Sequence, residues 1–160
     1  KVEVFKVNYS QKALLLEAAK GYCYLVEKEL TTWKESDLQE LLTRLSSLYM
    51  EALRFPTVNS ESEIVLHVEI KLPTISFGDI DNYQTVYDPY ATDTLIEGSL
   101  SDDILDIYKD VKEALVLYEK GEEQESLWQL KFSFHSHWIT HALNAMKAIQ
   151  SLLREHYLSL

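Results

Sequence analysis

The fold is decided by residues 123–157, which read EQESLWQLKFSFHSHWITHALNAMKAIQSLLREHY. On a helical wheel of about 100° per residue, apolar and aromatic side chains cover more than half of the circumference. Leu127 and Phe134 lie on one arc, and Trp128 and Phe132 lie on the arc beside it. A helix of this kind must be covered on several sides. We therefore expect one long helix at the centre of the molecule, against which the rest of the chain packs.

Three further segments repeat apolar residues at helical spacing, at about residues 10–30, 36–55 and 101–120. The second of them ends before Pro56, because a proline biases the preceding residue away from helical backbone angles. Short connections join the helices within each pair, and one long connection joins the two pairs. The sequence therefore predicts a single, mainly α domain that resembles a four-helix bundle with one irregular crossover.

The crossover occupies residues 56–100. Within it, apolar and polar residues alternate from Ile64 to Leu72, which favours a strand, although a helix remains open for these residues. Residues 2–7 have a similar alternation, so we expect the two segments to pair as a small β ribbon. A loop rich in aromatic and acidic residues follows. We expect its aromatic side chains to pack on the helices.

The composition limits the function classes. The chain has 160 residues and a formal net charge of −11, so an electrostatic nucleic-acid interface is disfavoured. Cys23 is the one cysteine, which excludes an internal disulfide and a cysteine-rich zinc module. The sequence contains neither a secretory signal at its start nor an apolar run long enough to span a bilayer. We expect a cytoplasmic protein that binds neither nucleic acid nor membrane.

No familiar catalytic motif is present. The sequence lacks a Gly-x-Gly-x-x-Gly or Walker-type phosphate loop, and it lacks Gly-x-Ser-x-Gly. The one unusual cluster is His135, His137 and His141. His137 and His141 are four residues apart, and this spacing places two imidazoles on one helical face, where they can bind a metal.

Two histidines are too few ligands for a metal site, so carboxylates must complete it. Asp102 or Asp106, on the 101–120 helix, could turn inward toward His137 or His141. The result would be half of a divalent metal site or a structural bridge between an acid and a histidine. The simpler interpretation is that His141 is a core histidine hydrogen-bonded to a carboxylate or carbonyl. Both interpretations remain open at this point.

Asp103, Asp106 and Asp110 share one face of the same helix. This acidic row could attract a basic partner, or it could be an ordinary solvated stripe. The tyrosines of the crossover loop are further candidates for an interaction surface: Tyr83, Tyr87 and Tyr90. A small-molecule pocket beneath these tyrosines and Phe77 is a third possibility, which rests on composition alone.

Two stretches of the sequence resemble the bacterial family of unknown function DUF5063. They are GSLSDDILDIYKDVK at residues 98–112 and LWQLKFSFHSHWITHA at residues 127–142, and residues 83–90 are similar as well. The resemblance implies a small helical protein without an established activity. It singles out the following positions: Asp102, Asp103, Asp106, Tyr108, Asp110, Trp128, His137, Trp138 and His141.

Taken together, these features favour a non-enzymatic helical module that interacts with another protein or regulates it. The alternative is a metal-binding or metal-dependent site built on His137 and His141 with carboxylates from the 101–113 region. The sequence requires no cofactor, although a divalent metal would serve the alternative. It does not decide the oligomeric state or the identity of the partner.

Overall fold

The computed structural model describes residues 9–62, 68–91 and 94–158. In chain order the elements are α1 (Tyr9–Val26), α2 (Glu35–Arg54), a 3-10 turn (Gly78–Ile80), β1 (Asn82–Thr85), β2 (Ile96–Ser99), α3 (Leu100–Glu119), α4 (Glu123–Ser133), a π-helical turn (Phe134–Trp138) and α5 (Ile139–Leu158). The mainly α fold with a small β ribbon is as predicted.

The long C-terminal helix is continuous from α4 through the π-helical turn into α5. In the π-helical turn, the amide of Ile139 donates to the carbonyl of Phe134, five residues earlier. Leu130, Phe134 and Trp138 are completely buried, as the wide apolar surface of this helix requires. The helix packs against both α2 and α3. It is therefore the central element that the sequence predicts.

The three other long helices, α1, α2 and α3, pack around it and against one another. α1 and α2 form a hairpin, and α1 also packs against α3. The hydroxyl of the fully buried Tyr22 on α1 donates to the carbonyl of Ile104 on α3, at 2.8 Å. Leucine side chains of α2 at 41, 45 and 48 are completely buried in the same core. One hydrophobic core therefore joins all the helices.

Two buried charged residues of α4 attach this helix to other segments. Lys131 donates from Nζ to the carbonyl oxygens of Ala52 and Leu53, at 2.7 and 3.2 Å, at the C-terminal end of α2. Glu125 accepts hydrogen bonds from the amides of Glu61 and Ser62, at 2.6 and 2.8 Å. Lys131 therefore connects α4 to the end of α2, and Glu125 connects α4 to the beginning of the crossover.

The helix boundaries lie within one residue of the predicted ones, except at the end of α1. α1 ends at Val26 instead of about residue 30, because Glu29 adopts a left-handed backbone with φ 51°. α2 begins at Glu35, and the amide of Lys34 donates to the Asp37 carboxylate at 2.9 Å. α3 begins at Leu100, because Ser99 is its N-cap and accepts a hydrogen bond from the amide of Asp102.

The structure has a β ribbon that the sequence analysis did not place. β1 pairs antiparallel with β2, with Tyr83 opposite Gly98. Residues 2–7 and 63–67, which include most of the predicted pairing, lie outside the described residues. Residues 68–72 are described, and they are irregular rather than a strand. The ribbon therefore lies directly before α3, where a hairpin can close locally.

The aromatic side chains of the crossover have different environments. Phe77 is buried and stacks on Trp33 with ring centroids 4.4 Å apart. Tyr83 is partly buried against the core, whereas Tyr87 and Tyr90 are 81% and 97% exposed. The expected packing of the loop tyrosines is therefore wrong for the last two. Within the described residues, no helix combines the length and apolar character that crossing a membrane needs.

Candidate metal centre

α3 presents a row of carboxylates to the C-terminal helix. Asp103, Asp106 and Asp110 are spaced by three and four residues, so they lie on one face of α3. The interpretation of this row as an ordinary solvated stripe is wrong for Asp103, which is only 5% exposed. This face meets the π-helical turn and the first turn of α5, where His137 and His141 lie. Acids and imidazoles therefore face each other between two packed helices.

His141 is held by the buried carboxylate of Asp103. Its Nδ1 lies 2.7 Å from Asp103 Oδ1, and its Nε2 lies 3.6 Å from Asp106 Oδ2. An ionised carboxylate only accepts hydrogen bonds, so Nδ1 is the donor, and in the neutral ring Nε2 then carries the lone pair for another ligand. His141 therefore presents Nε2 toward Asp106.

His137 repeats this arrangement one turn earlier. Its Nδ1 lies 2.7 Å from Asp110 Oδ2, and its ring is 4.9 Å from that of His141 in an edge-to-face arrangement. A carboxylate that accepts from one imidazole nitrogen orients the ring and raises the basicity of the other nitrogen. Both histidines therefore have the partner that metal-bound histidines usually have.

Tyr83 of β1 completes the environment of Asp103. Its hydroxyl donates to Asp103 Oδ2, while Asp103 Oδ1 accepts from His141. Burial raises the pKa of Tyr83, and its hydrogen bond to Asp103 raises it further. Burial also raises the pKa of Asp103, although hydrogen bonds from Tyr83 and His141 act in the opposite direction. Tyr83 is therefore a neutral hydroxyl that donates to a buried acid.

Three of these side chains lie close enough together to be candidate metal ligands. One potential ligand atom from each of Asp106, His137 and His141 lies within 4.8 Å of the other two. Zinc binds nitrogen at about 2.0–2.1 Å, which places tetrahedral ligands about 3.4 Å apart. The 3.6 Å between His141 Nε2 and Asp106 Oδ2 is close to that spacing. The ligand atom of His137 lies within 4.8 Å of the other two, so it must move closer to reach the same spacing.

The structure brings some of the predicted site residues together and leaves others out of the cluster. His137, His141 and Asp106 come together, whereas Asp102 is exposed in the first turn of α3 and is not part of this group. His135 is exposed and lies beside Trp128 and Phe132. Asp102 does not join the cluster, because the residue that turns inward in this first turn of α3 is its neighbour Asp103.

Sequence reasoning missed the roles of Asp103, Asp110 and Tyr83 around this cluster. The matching spacings of the acids and of the histidines were a usable signal for the two aspartates, since both rows follow helical periodicity. Tyr83 had no comparable signal, because it reaches Asp103 from a short strand outside the helices.

A cavity of about 340 Å³ lies beside the cluster, between β1 and α5. Tyr83 lines it, together with Thr85 and Asn144, whose side chains are 3.4 Å apart. Phe77, Tyr87 and Tyr90 do not line it. The pocket expected beneath all four crossover aromatics is therefore wrong: of the four, Tyr83 alone lines this cavity, and its hydroxyl also donates to Asp103.

The family model for the domain of unknown function DUF5063 matches residues 9–155. The chain belongs to the DUF5063 family. The resemblance noted in the sequence is thereby confirmed over nearly the whole chain. A search of curated proteins gives no match for this DUF5063 chain.

The DUF5063 chain is also similar to a solved structure, protein BF1032 from Bacteroides fragilis. The two chains are 17% identical, with a TM-score of 0.67 over 90% of this chain and 92% of the other. At this identity the likeness establishes the fold alone. The candidate metal centre of the DUF5063 chain therefore depends on its own geometry.

Proposed function

We propose that this protein binds a divalent transition metal through Asp106, His137 and His141, and that the metal is accessible to a further ligand. The observation that carries the proposal is the paired arrangement of the histidines. Each has an aspartate 2.7 Å from Nδ1, and the two rings are adjacent. This is the outer environment of metal-bound histidines.

The donor set favours an accessible site over a closed structural one. Two imidazoles and one carboxylate are three protein ligands, and structural zinc sites normally have four. Three-ligand sets of this type leave positions for water or substrate in zinc hydrolases and in non-haem iron enzymes. The His137 side chain is 45% exposed and that of Asp106 is 46% exposed, so solvent reaches this side of the site.

The local charge also favours a cation. Three carboxylates surround two imidazoles, which leaves the cluster negative when the histidines are neutral. The whole chain carries −11, so its field attracts divalent cations over anions. Structural ion pairs between aspartate and protonated histidine are the competing explanation, and metal titration separates the two.

The first experiment is a zinc titration of untagged, chelator-treated protein by calorimetry. We expect one site per chain in the wild type, and a large loss of affinity in His137→Ala and His141→Ala, because each removes one of three ligands. His135→Ala is the matched control, since His135 is exposed and lies on the same π-helical turn. A wild type that binds neither zinc, iron(II) nor manganese(II) would leave the pairs as structural bridges and reject the proposal.

A protein-interaction module is the second candidate function. It is favoured by four exposed residues around the ribbon: Tyr87, Tyr90, Leu95 and Ile96. The acidic row supports it less, because Asp103 is buried and Asp110 is engaged with His137. If this surface binds a partner, a Tyr87→Ala, Tyr90→Ala double variant should lose a protein that the wild type and His137→Ala both retain in a pull-down.

A further inference from the structure

The two histidines of the metal centre are held unequally. The Asp103 side chain is 8% exposed and that of Asp110 is 15% exposed, and their histidine partners are 30% and 45% exposed. A buried carboxylate needs more than one hydrogen bond to offset the loss of water. Asp103 has a second protein donor in Tyr83. The better buried pair, His141 with Asp103, is therefore also the one whose carboxylate accepts two hydrogen bonds.

Tyr83 determines which way the Asp103 carboxylate faces. With Oδ2 bound to the Tyr83 hydroxyl, Oδ1 is directed at His141 Nδ1. The carboxylate then cannot rotate without losing one of the two hydrogen bonds. As a result the His141 ring is fixed with Nε2 toward Asp106.

The β ribbon carries Tyr83 into this position. At one end of β1, Asp81 accepts hydrogen bonds from the Ser99 hydroxyl at 2.8 Å and the Ser101 amide at 2.8 Å, at the start of α3. At the other end, Thr85 lies 3.4 Å from Asn144 of α5. The ribbon therefore contacts α3 and α5, which carry Asp106 and His141.

Gly98 provides the space for the Tyr83 ring. It lies opposite Tyr83 in the ribbon, and a Cβ atom at this position would be 2.7 Å from the tyrosine hydroxyl oxygen. A Cβ atom essentially never lies so close to another heavy atom, so any side chain at 98 would displace the ring. The glycine is thus required by the position of the Tyr83 hydroxyl.

We propose that Tyr83 is a positioning residue of the metal centre: through Asp103 it orients His141 and so sets the affinity for the metal. This inference rests on the metal-binding function proposed above. Outer hydrogen-bond partners of metal ligands typically contribute about 10- to 100-fold to affinity. Since Tyr83 acts through Asp103, we expect about a tenfold effect.

The test compares zinc affinities of wild type, Tyr83→Phe, Gly98→Ala and Tyr22→Phe by calorimetry. The first two variants should each weaken binding about tenfold, by removing the hydroxyl and by displacing it. Tyr22→Phe is the matched control, because it removes a tyrosine hydroxyl that donates to the backbone carbonyl of Ile104 on α3 and to none of the carboxylates of the cluster. It should retain wild-type affinity, and thermal melts of the metal-free proteins establish that every variant is folded.

A second measurement follows His141 itself. In nitrogen-detected NMR of the metal-free protein, the Nδ1–H tautomer of His141 should be well populated in the wild type and in Tyr22→Phe, and less so in Tyr83→Phe. Equal zinc affinity of Tyr83→Phe and wild type would overturn this inference and leave the metal site standing. Absence of zinc binding by the wild type would instead reject the metal site, and this inference with it.

Discussion

Trp138 and His141 illustrate how one helical surface serves two purposes. The two residues are three positions apart on the C-terminal helix. Trp138 is completely buried, whereas the His141 side chain is 30% exposed at the edge of the core. The indole has an apolar environment and a single polar partner, the Ser133 hydroxyl, at 3.1 Å. The imidazole instead faces the carboxylates of α3.

Trp138→Phe should destabilise the protein by about 1–3 kcal/mol. The smaller ring leaves space in the core, and the buried Ser133 hydroxyl loses its partner. The free energy of unfolding from urea titration measures the effect. Trp128→Phe is the control, because Trp128 is only partly buried and should change stability far less. Equal losses in the two variants would contradict the assigned role of Trp138.

At the scale of elements, the junction between the ribbon and α3 is the important feature. Asp81 accepts hydrogen bonds from the amide and hydroxyl of Ser101 and from the hydroxyl of Ser99. Desolvation alone would raise the pKa of Asp81, but these hydrogen bonds outweigh it, so the pKa lies below its usual value. The ionised carboxylate is therefore the form that the folded protein stabilises.

Asp81→Asn should lower the free energy of unfolding near neutral pH by about 1 kcal/mol, since the site is partly exposed and the variant loses the charge at a helix N-terminus. Because the folded-state pKa is depressed, the contribution is fully present above the unfolded-state value of 3.8 and is lost as the pH falls through the folded-state value. The difference between wild type and variant should therefore be constant between about pH 5 and 7 and shrink below that range. Asp79→Asn, at a nearby exposed residue, provides the baseline.

At the scale of the whole molecule, the core and the proposed metal centre use different side chains. The largest fully buried side chains include Trp138, Tyr22, Phe134, Ile104 and Ile107, none of which is a proposed ligand. The four-helix core can therefore form without a metal ion, unlike the core of a zinc finger. We therefore expect the proposed metal not to be needed for folding.

Chelator-treated protein should accordingly retain its helical far-ultraviolet circular dichroism and melt cooperatively. Zinc at a hundredfold excess over Kd should then add about 2.7 kcal/mol of stability. For a chain of this size, that corresponds to a rise in Tm of about 5–10 °C. Differential scanning calorimetry with and without zinc checks both statements, with His141→Ala as the variant that should show no zinc-dependent rise. Loss of helix on chelation would mean that the metal is structural.

The four helices and the central position of the last one were determined by the sequence itself. Helical periodicity is a local property, and the wide apolar surface around Phe134 and Trp138 permits only a covered helix. The spacing of His137 and His141 is equally local, so this pair was also identifiable. Helix ends were less certain, because a capping residue can shift a boundary by one or two positions.

The tertiary structure alone decided which groups face those histidines. Asp103 and Asp110 lie 38 and 27 residues before their histidine partners, and Tyr83 lies 20 residues before Asp103 in a strand outside the helices. Such contacts depend on the rotation of α3 about its axis and on the register of the ribbon. Both are set by the packing of the whole core, which no local pattern of residues specifies.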